Sequence, residues 1–242
     1  MSTLLDIYRD GFPEDGDVFS GRFVADNADR AVTYSVGGRA VAAGYLLPKT
    51  LSAGGAEYSA YYLDAFSVLT PYRGTGVAQK LMRLLLDKAA ADGAGYVFLS
   101  PFNGTYYRQY GFADAVYAEK TFITGGAAIP VRKASSDDVR RVYERMTSAA
   151  DVYFVRKPRF YAECAFDHFL IGDGEGFAAG NIWNGEFEVT ACTDYAALLS
   201  CDFLKGLFAY VPGTGKPFVQ VYDPSAPGVN PFRGKIAITD KL

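Results

Sequence analysis

Histidine is almost missing from this 242-residue chain, with His168 the single example. A His pair, an H-E-x-x-H zinc helix and a three-His centre are therefore excluded, and no metal site is expected. The three cysteines, Cys164, Cys192 and Cys201, are odd in number and include no C-x-x-C spacing. Neither a disulfide framework nor a zinc ribbon follows from them, and buried, unpaired thiols in a cytoplasmic protein are expected. No apolar run approaches the roughly 18 residues of a membrane span. Met1 to Asp10 lacks the basic-then-apolar pattern of a secretion signal. Charge of one sign is also lacking: 24 basic and 27 acidic residues leave a net −3, without the basic excess of a nucleic-acid binder. Neither nucleic acid nor membrane is an expected partner.

Apolar and aromatic material is plentiful. Half of the residues are hydrophobic, with 18 tyrosines and 18 phenylalanines, enough for a sizeable core and against a disordered chain. The length suits one large domain or two small ones. Leu4, Leu5, Tyr8 and Phe12 recur at helical spacing, and Phe19, Phe23 and Val24 suggest a second helix. From Ala31 the period becomes two. Residues 31–36 and 40–47 flank Gly37-Gly38-Arg39 as a β-hairpin, and residues 58–68 read as a third strand. A helix over Val77–Ala89, a buried parallel strand at Tyr96–Ser100, a brief helix at Thr105–Tyr110 and a strand at Ala113–Ile123 follow.

Thr124–Ala128 reads as a linker, giving two domains, 1–124 and 129–242. The second opens with a strand near Ile129–Arg132 and a helix capped by Ser135-Ser136-Asp137-Asp138. Another helix follows Pro158. Asn184-Gly185 joins hairpin strands Gly176–Trp183 and Glu186–Cys192, the strongest short hairpin signal. A helix over Tyr195–Phe208 and strands near Phe218–Tyr222 and Ile236–Thr239 complete the chain. The second half repeats the element order of the first without sharing a motif. The predicted class is α/β with a mixed sheet.

Arg73-Gly74-Thr75-Gly76-Val77-Ala78 lies between a strand and a helix. Glycines there let an anion approach the free N–H groups of the helix start. The helix dipole favours a negative group by roughly 0.3–1 kcal/mol. Arg73 can pair with a phosphate, and Thr75 can donate a hydroxyl hydrogen bond. The pattern is neither a Walker loop nor a dinucleotide G-x-G-x-x-G.

These residues satisfy the R-x-x-G-x-A signature, and Tyr107-Arg108-Gln109-Tyr110-Gly111-Phe112, 34 residues further on, satisfies a Y-x-x-x-G-F pattern. In both motifs and in element order, roughly residues 1–124 resemble the GNAT superfamily of acyl-CoA-dependent N-acetyltransferases. The resemblance implies a GNAT acyltransferase fold, followed by a second, degenerate GNAT-like half. Acetyl-CoA would be the cosubstrate and no metal would be needed. Phe66, Ser67 and Val68 would pair with the pantetheine, while Arg73, Gly74, Thr75, Gly76, Val77 and Ala78 would hold the pyrophosphate. Tyr107 would protonate the leaving thiolate, and the acceptor would be a small-molecule or peptide amine. The stretch from Leu99 to Phe112 is similar to the branch containing the enhanced intracellular survival proteins, which adds a degenerate half and then a sterol-carrier-like domain. Residues 129–242 are too short for both.

The sequence also departs from the family. No strand precedes the first helix, Pro71 sits directly before Tyr72, and Asn103 lies four residues ahead of Tyr107.

An alkylammonium holds only about one part in 10³ as free amine at pH 7, a penalty of about 4–5 kcal/mol that a base or water chain must relieve. Asp64, on the strand leading into the loop, is a candidate base, and a solvated strand-edge carboxylate is the plainer alternative. The survival-protein branch makes the C-terminal carboxylate of Leu242 another candidate, and Glu57 and Glu119 stay open. Tyr58, Tyr61, Tyr62, Tyr106, Tyr107 and Tyr110 offer an aromatic wall for a cationic amine. His168, within AFDHFL, reads as structural. Residues 211–217 read as a turn, because Pro217 stands where a phosphate-loop helix would begin. The alternative function is an acyl-CoA-binding or interaction protein without turnover. A homo-oligomer is compatible with either.

Overall fold

The structure is a computed structural model that describes residues 3–238. Leu242 therefore lies outside the described residues. The chain divides into two compact units. The first contains residues up to Lys49, Tyr58–Ala113 and Gln220–Asn230; the second contains Thr50–Glu57, Asp114–Val219 and the residues from Pro231 onward.

The first unit opens with α1 (Leu4–Gly11), begun by a reciprocal cap. The Asp6 N–H donates to Thr3 Oγ1 at 3.2 Å, and the Thr3 N–H donates to the Asp6 carboxylate at 2.7 Å. α2 (Gly16–Asn27) presents Phe23, whose ring lies 5.0 Å from Tyr8 and 5.1 Å from Tyr45. β1 (Ala31–Val36) and β2 (Arg39–Ala53) form the expected antiparallel hairpin. Gly37 and Gly38 have φ of 57° and 74°, the left-handed turn that matches strand twist. β3 (Ala56–Val68) runs beside β2, and α3 (Val77–Ala91) carries the chain to β4 (Tyr96–Leu99). β4 returns parallel to β3, as its short apolar run implied. On its other side β4 pairs with Gln220–Tyr222 of β12 (Lys216–Tyr222).

α3 buries Val77, Leu81, Met82, Leu85 and Ala89 against Val41, Leu46, Leu63, Val97 and Leu99. Each fully buried Leu or Val contributes roughly 1.5–3 kcal/mol. Close approach needs Gly44, where an added Cβ would meet Leu85 Cδ1 at 2.9 Å. The expected helix at Thr105–Tyr110 is a single 3-10 turn, Tyr106–Tyr110, stopped by Gly111 at φ 89°.

Most of β5 (Ala113–Phe122) belongs to the second unit. There follow β6 (Val131–Lys133), α4 (Ser136–Ser148), β7 (Val152–Val155), α5 (Pro158–Cys164), β8 (Phe169–Ile171), β9 (Ala178–Trp183), β10 (Glu186–Cys192), α6 (Tyr195–Ser200), β11 (Phe208–Pro212) and β13 (Ile236–Ala237). The strands β6, β8, β9, β10, β11 and β5 lie side by side in that order. β7 pairs with β13 and with Thr50–Ala53. The β9–β10 turn places Asn184 at φ 46° and Gly185 at φ 77°, as the Asn-Gly pair predicts. Residues 213–215 form the turn from β11 to β12.

The expected helix over Tyr195–Phe208 stops at Ser200, and Phe208 begins a strand. The segment read as a linker is the reason. The N–H groups of Thr124 and Gly125 donate to Leu199 O, and that of Ala127 donates to Ser200 O. Cys201 is pulled into extended geometry and bridged to Ala127. The short strands β7 and β8 were not foreseen, because three or four residues carry too little periodicity.

Connectivity repeats between the units. An antiparallel hairpin, a helix and a strand parallel to the hairpin's second arm occur as β2-β3-α3-β4 and again as β9-β10-α6-β11.

Candidate functional site

Three features of β3 shape the site. Its ladder to β4 is confined to Ala60–Tyr62, so the stretch from Asp64 to Val68 runs on beyond the shared pairs. Ala65 adopts φ 46°, which a non-glycine residue rarely does, and the Ala65 N–H turns back to the Asp64 carboxylate at 2.7 Å. Ser67 is buried under α1, where its hydroxyl donates to Ile7 O at 2.9 Å. A Cβ on Gly11 would stand 2.2 Å from Ser67 Oγ, so glycine is required for that approach.

Asp64 is half-buried, and this burial pushes its carboxyl up to about 6 against the opposing pull of the Ala65 N–H and Lys49. Its charge is felt by three phenols, Tyr8, Tyr45 and Tyr107, each raised first by its own burial. Tyr107 is pushed up to about 12 and keeps its proton throughout the neutral range. Its ring meets Phe66 edge-on at 6.2 Å, Tyr106 at 5.0 Å and Phe112 at 6.1 Å. Tyr45 is fully buried and its hydroxyl has no hydrogen-bond partner among the described residues. Tyr8 donates to Asp15 at 2.6 Å.

The loop after β3 enters α3 through Gly76, at φ 82°, with no side chain capping the helix. The first helical bond runs from the Lys80 N–H to Gly76 O, so the N–H groups of Val77, Ala78 and Gln79 precede it and lack intrahelical partners. Gly74 has φ 76° and a Cβ there would meet nothing within 4 Å, which leaves the loop face open. Arg73 is held from behind: its Nε donates to Val68 O at 2.9 Å, and its Nη2 to Asp10 O at 2.9 Å and the Asp10 carboxylate at 3.2 Å. The Thr75 hydroxyl gives its proton to Tyr72 O at 2.6 Å. In this arrangement Arg73 fixes the loop to α1, and the surface that the loop leaves open is backbone.

Asp64, Phe66, Ser67, Val68, the 73–78 loop and Tyr107 all belong to the first unit, whereas Glu57 and Glu119 belong to the second. The six tyrosines expected to share a wall have different partners. Tyr58 packs on Tyr96, Tyr61 donates to Asp92 at 2.9 Å, and the Tyr110 and Tyr106 hydroxyls meet at 3.2 Å beside Tyr107. Tyr8, Asp10, Asp15 and Tyr45 were missed, since Asp10 meets Arg73 across 63 positions of sequence. A carboxylate at the end of an amphipathic helix is too common to signal that pairing.

His168 is buried between Asp167 and Thr190, each at 2.6 Å, and burial lowers its pKa below the ordinary imidazole value. It holds structure rather than chemistry. Among the described residues no three or more His, Cys, Asp or Glu side chains gather as metal ligands would. No helix among them is long and apolar enough to cross a membrane.

Residues 4–115 match the family model described as the acetyltransferase (GNAT) domain. No curated protein matches the sequence. Among solved structures, a GCN5-related N-acetyltransferase from Kribbella flavida is 20% identical over 93% of this chain and 69% of its own, with a TM-score of 0.64. One from Anabaena variabilis ATCC 29413 is 14% identical over 91% and 69%, with a TM-score of 0.63. Eis1 from Mycobacterium abscessus is 16% identical over 90% and 68%, with a TM-score of 0.56. Residues 4–115 thus match the GNAT acetyltransferase domain, and the chain as a whole shares the fold of solved GCN5-related N-acetyltransferases.

Proposed function

We propose that the protein transfers an acetyl group from acetyl-CoA to a primary amine of a small molecule or peptide. The observation that carries this reading is Asp64, a half-buried carboxylate pushed up to about 6 on the stretch of β3 that runs beyond its pairs with β4. A base poised near neutrality is what an alkylammonium acceptor requires. The backbone of Phe66–Val68 binds the pantetheine as an added strand would. The N–H groups of Gly74, Gly76, Val77 and Ala78 hold the pyrophosphate, aided by the α3 dipole. Asp64 takes the ammonium proton, directly or through water, and the amine attacks the thioester carbonyl. As the C–S bond breaks, Tyr107 gives its proton to the departing thiolate, and the second proton of the attacking nitrogen returns through water to Tyr107, leaving a neutral amide. Arg73 contributes by anchoring the loop to Asp10. The C-terminal carboxylate of Leu242 is a second candidate base by resemblance alone. On this reading the second unit is a GNAT-like half without the CoA loop.

The deciding experiment is a calorimetric titration with acetyl-CoA in the absence of acceptor. Stoichiometric binding that weakens at least tenfold in Arg73→Ala is expected. No heat at millimolar ligand would refute the reading. Binding without turnover on any amine of a broad panel would favour an acyl-CoA-binding protein instead.

A further inference from the structure

The second unit contains a cavity of about 430 Å³ that the acetyltransferase reading does not use. All of its walls come from that unit. Its origin is topological. β10 and β11 are parallel neighbours only at Glu186–Phe187 and Phe208–Ala209. Beyond that point β10 continues as far as Cys192 beside β9, while β11 continues to Pro212 beside β5. The two strands part, as β3 and β4 do beyond Tyr62. Glu188, Val189 and Cys192 from one strand and Tyr210 and Pro212 from the other face the gap.

This cleft does not suit coenzyme A. α6, the helix that follows β10, begins with Asp194, whose carboxylate accepts the Ala197 N–H at 2.9 Å. A negative side chain occupies the position that a phosphate would need. The interior is apolar instead: Met146, Phe187, Val189, Phe218 and Ile236 line it, with the Phe218 ring tilted against Tyr210 at 5.3 Å. Burial pushes the Cys192 thiol up to about 12, so it stays protonated and is no nucleophile.

Charge at the rim is directional. Arg145 and Lys235 are both exposed there. The Arg145 guanidinium is oriented by the carbonyls of Glu175 and Gly176, with the Glu175 carboxylate only at 3.5 Å. The two lining carboxylates are already engaged. Glu186 takes Lys120 at 2.5 Å, and Glu188 takes the Asn181 amide at 3.2 Å. With the Glu186 charge met by Lys120, the lining charges left are two cations, Arg145 and Lys235, against the one carboxylate of Glu188.

We propose that the second unit binds an apolar monocarboxylate of medium-chain fatty-acid type, its head group between Arg145 and Lys235 and its chain in the cavity between β10 and β11. The size agrees. A chain of about ten carbons at ~30 Å³ each fills most of the space and leaves room for the head group.

The test uses the whole chain and calorimetric titration with octanoate, decanoate, decylamine and decanol below their aggregation limits. We expect decanoate to bind one to one, with octanoate about tenfold weaker for two lost methylenes. Decylamine should bind at least tenfold more weakly than decanoate. Lys235→Glu, at an exposed position, should fold normally and weaken decanoate at least tenfold. Val189→Phe should abolish binding by filling the cavity. Equal or tighter binding of decylamine, an unchanged affinity in Lys235→Glu, or no binding of any probe would each overturn the proposal. Should Val189→Phe fail to fold, the chain-length series and Lys235→Glu still decide. None of these outcomes depends on whether acetyl-CoA binds to the first unit.

Discussion

The turn from β3 into α3 and the turn from β10 into α6 have the same place in the same connectivity, yet they end in opposite chemistry. The first passes through Gly74 and Gly76 and leaves the α3 start without a side-chain cap. The second closes its own helix start with the Asp194 carboxylate. Exposed N–H groups cost stability that a cap would return, commonly about 1 kcal/mol. A helix without a side-chain cap here stands beside a strand whose pairs with β4 end at Tyr62. The capped helix keeps that stability and leaves one N–H fewer unpaired. One topology thus serves a turn with free N–H groups and a self-satisfied one, and the glycines together with the cap separate them.

The most severe way to break this contrast is to write the second turn into the first. Gly76→Asp would put a carboxylate at the α3 start and force an L-residue to φ 82°. Acetyl-CoA affinity is expected to fall more than 100-fold. Calorimetry would show it, and a loss below tenfold would mean that the backbone of this turn does not carry the phosphates. Next in size is Tyr107→Phe. Removing the acid should lower kcat by roughly 10²–10³ while acetyl-CoA affinity is kept, as general acid catalysis usually contributes. An unchanged kcat would return Tyr107 to the core packing it shares with Phe66 and Phe112.

Two carboxylates, Asp64 half-buried and Asp138 buried, extend the comparison to pH. Asp64 has a folded pKa raised to about 6 by burial, above its unfolded value near 3.9. The folded state therefore holds that proton more tightly, so the contribution to stability falls as pH rises from about 4 to 6 and is fully lost above that. Asp64→Asn should then stabilise the protein at pH 7 by about 1–2 kcal/mol, discounted for partial exposure, while abolishing the rise of kcat/KM with pH through about 6. Thermal melts and a pH–rate profile would check both halves, and a destabilised variant would contradict the assigned burial.

Asp138 behaves in the opposite sense. It is buried at the α4 start, where Arg132 meets it at 2.6 and 2.8 Å, Arg141 at 2.5 Å, and the Ser135 N–H and hydroxyl at 2.8 and 2.7 Å. The Arg132 hydrogen bonds come first in holding its carboxyl well below the ordinary range. Its stabilisation is present above the unfolded value near 3.9 and is lost as pH falls below that. Asp138→Ala should cost about 2–4 kcal/mol at pH 7 and progressively less toward pH 2. Denaturant midpoints across pH would reveal it, and a pH-independent cost would rule out the ion pairs as its source.

What could be read from the sequence followed from locality. A glycine loop between an alternating run and a helical run, a serine three residues before an aspartate and an Asn-Gly pair each act within a few residues, and α3, α4 and the β9–β10 hairpin formed accordingly. The Arg73–Asp10 anchor, the Tyr45 hydroxyl buried near Asp64 and the 124–127 segment that ends α6 join positions far apart. Their geometry exists only after folding, and no spacing rule reports it. The splayed end of β10 was invisible for the same reason, since β10 reads as an ordinary hairpin arm until its pairing with β11 is known.

The smallest expected effect makes the sharpest version of the comparison. Asp194→Ala removes the α6 cap, and the loss should be about 0.5–2 kcal/mol, as for other caps. If the two turns differ only in that cap, the variant should also gain a weak affinity for inorganic pyrophosphate at the newly free Ala197 N–H. It should not gain one, because α6 has only six residues and all three residues after Asp194, namely Tyr195, Ala196 and Ala197, carry side chains, with no glycine before or among them to open the approach. The expected result is therefore a lower melting temperature with no pyrophosphate binding by calorimetry. Binding would show that a cap alone decides whether such a turn holds phosphate; its absence would assign that property in the first unit to Gly74 and Gly76 as well as to the missing cap.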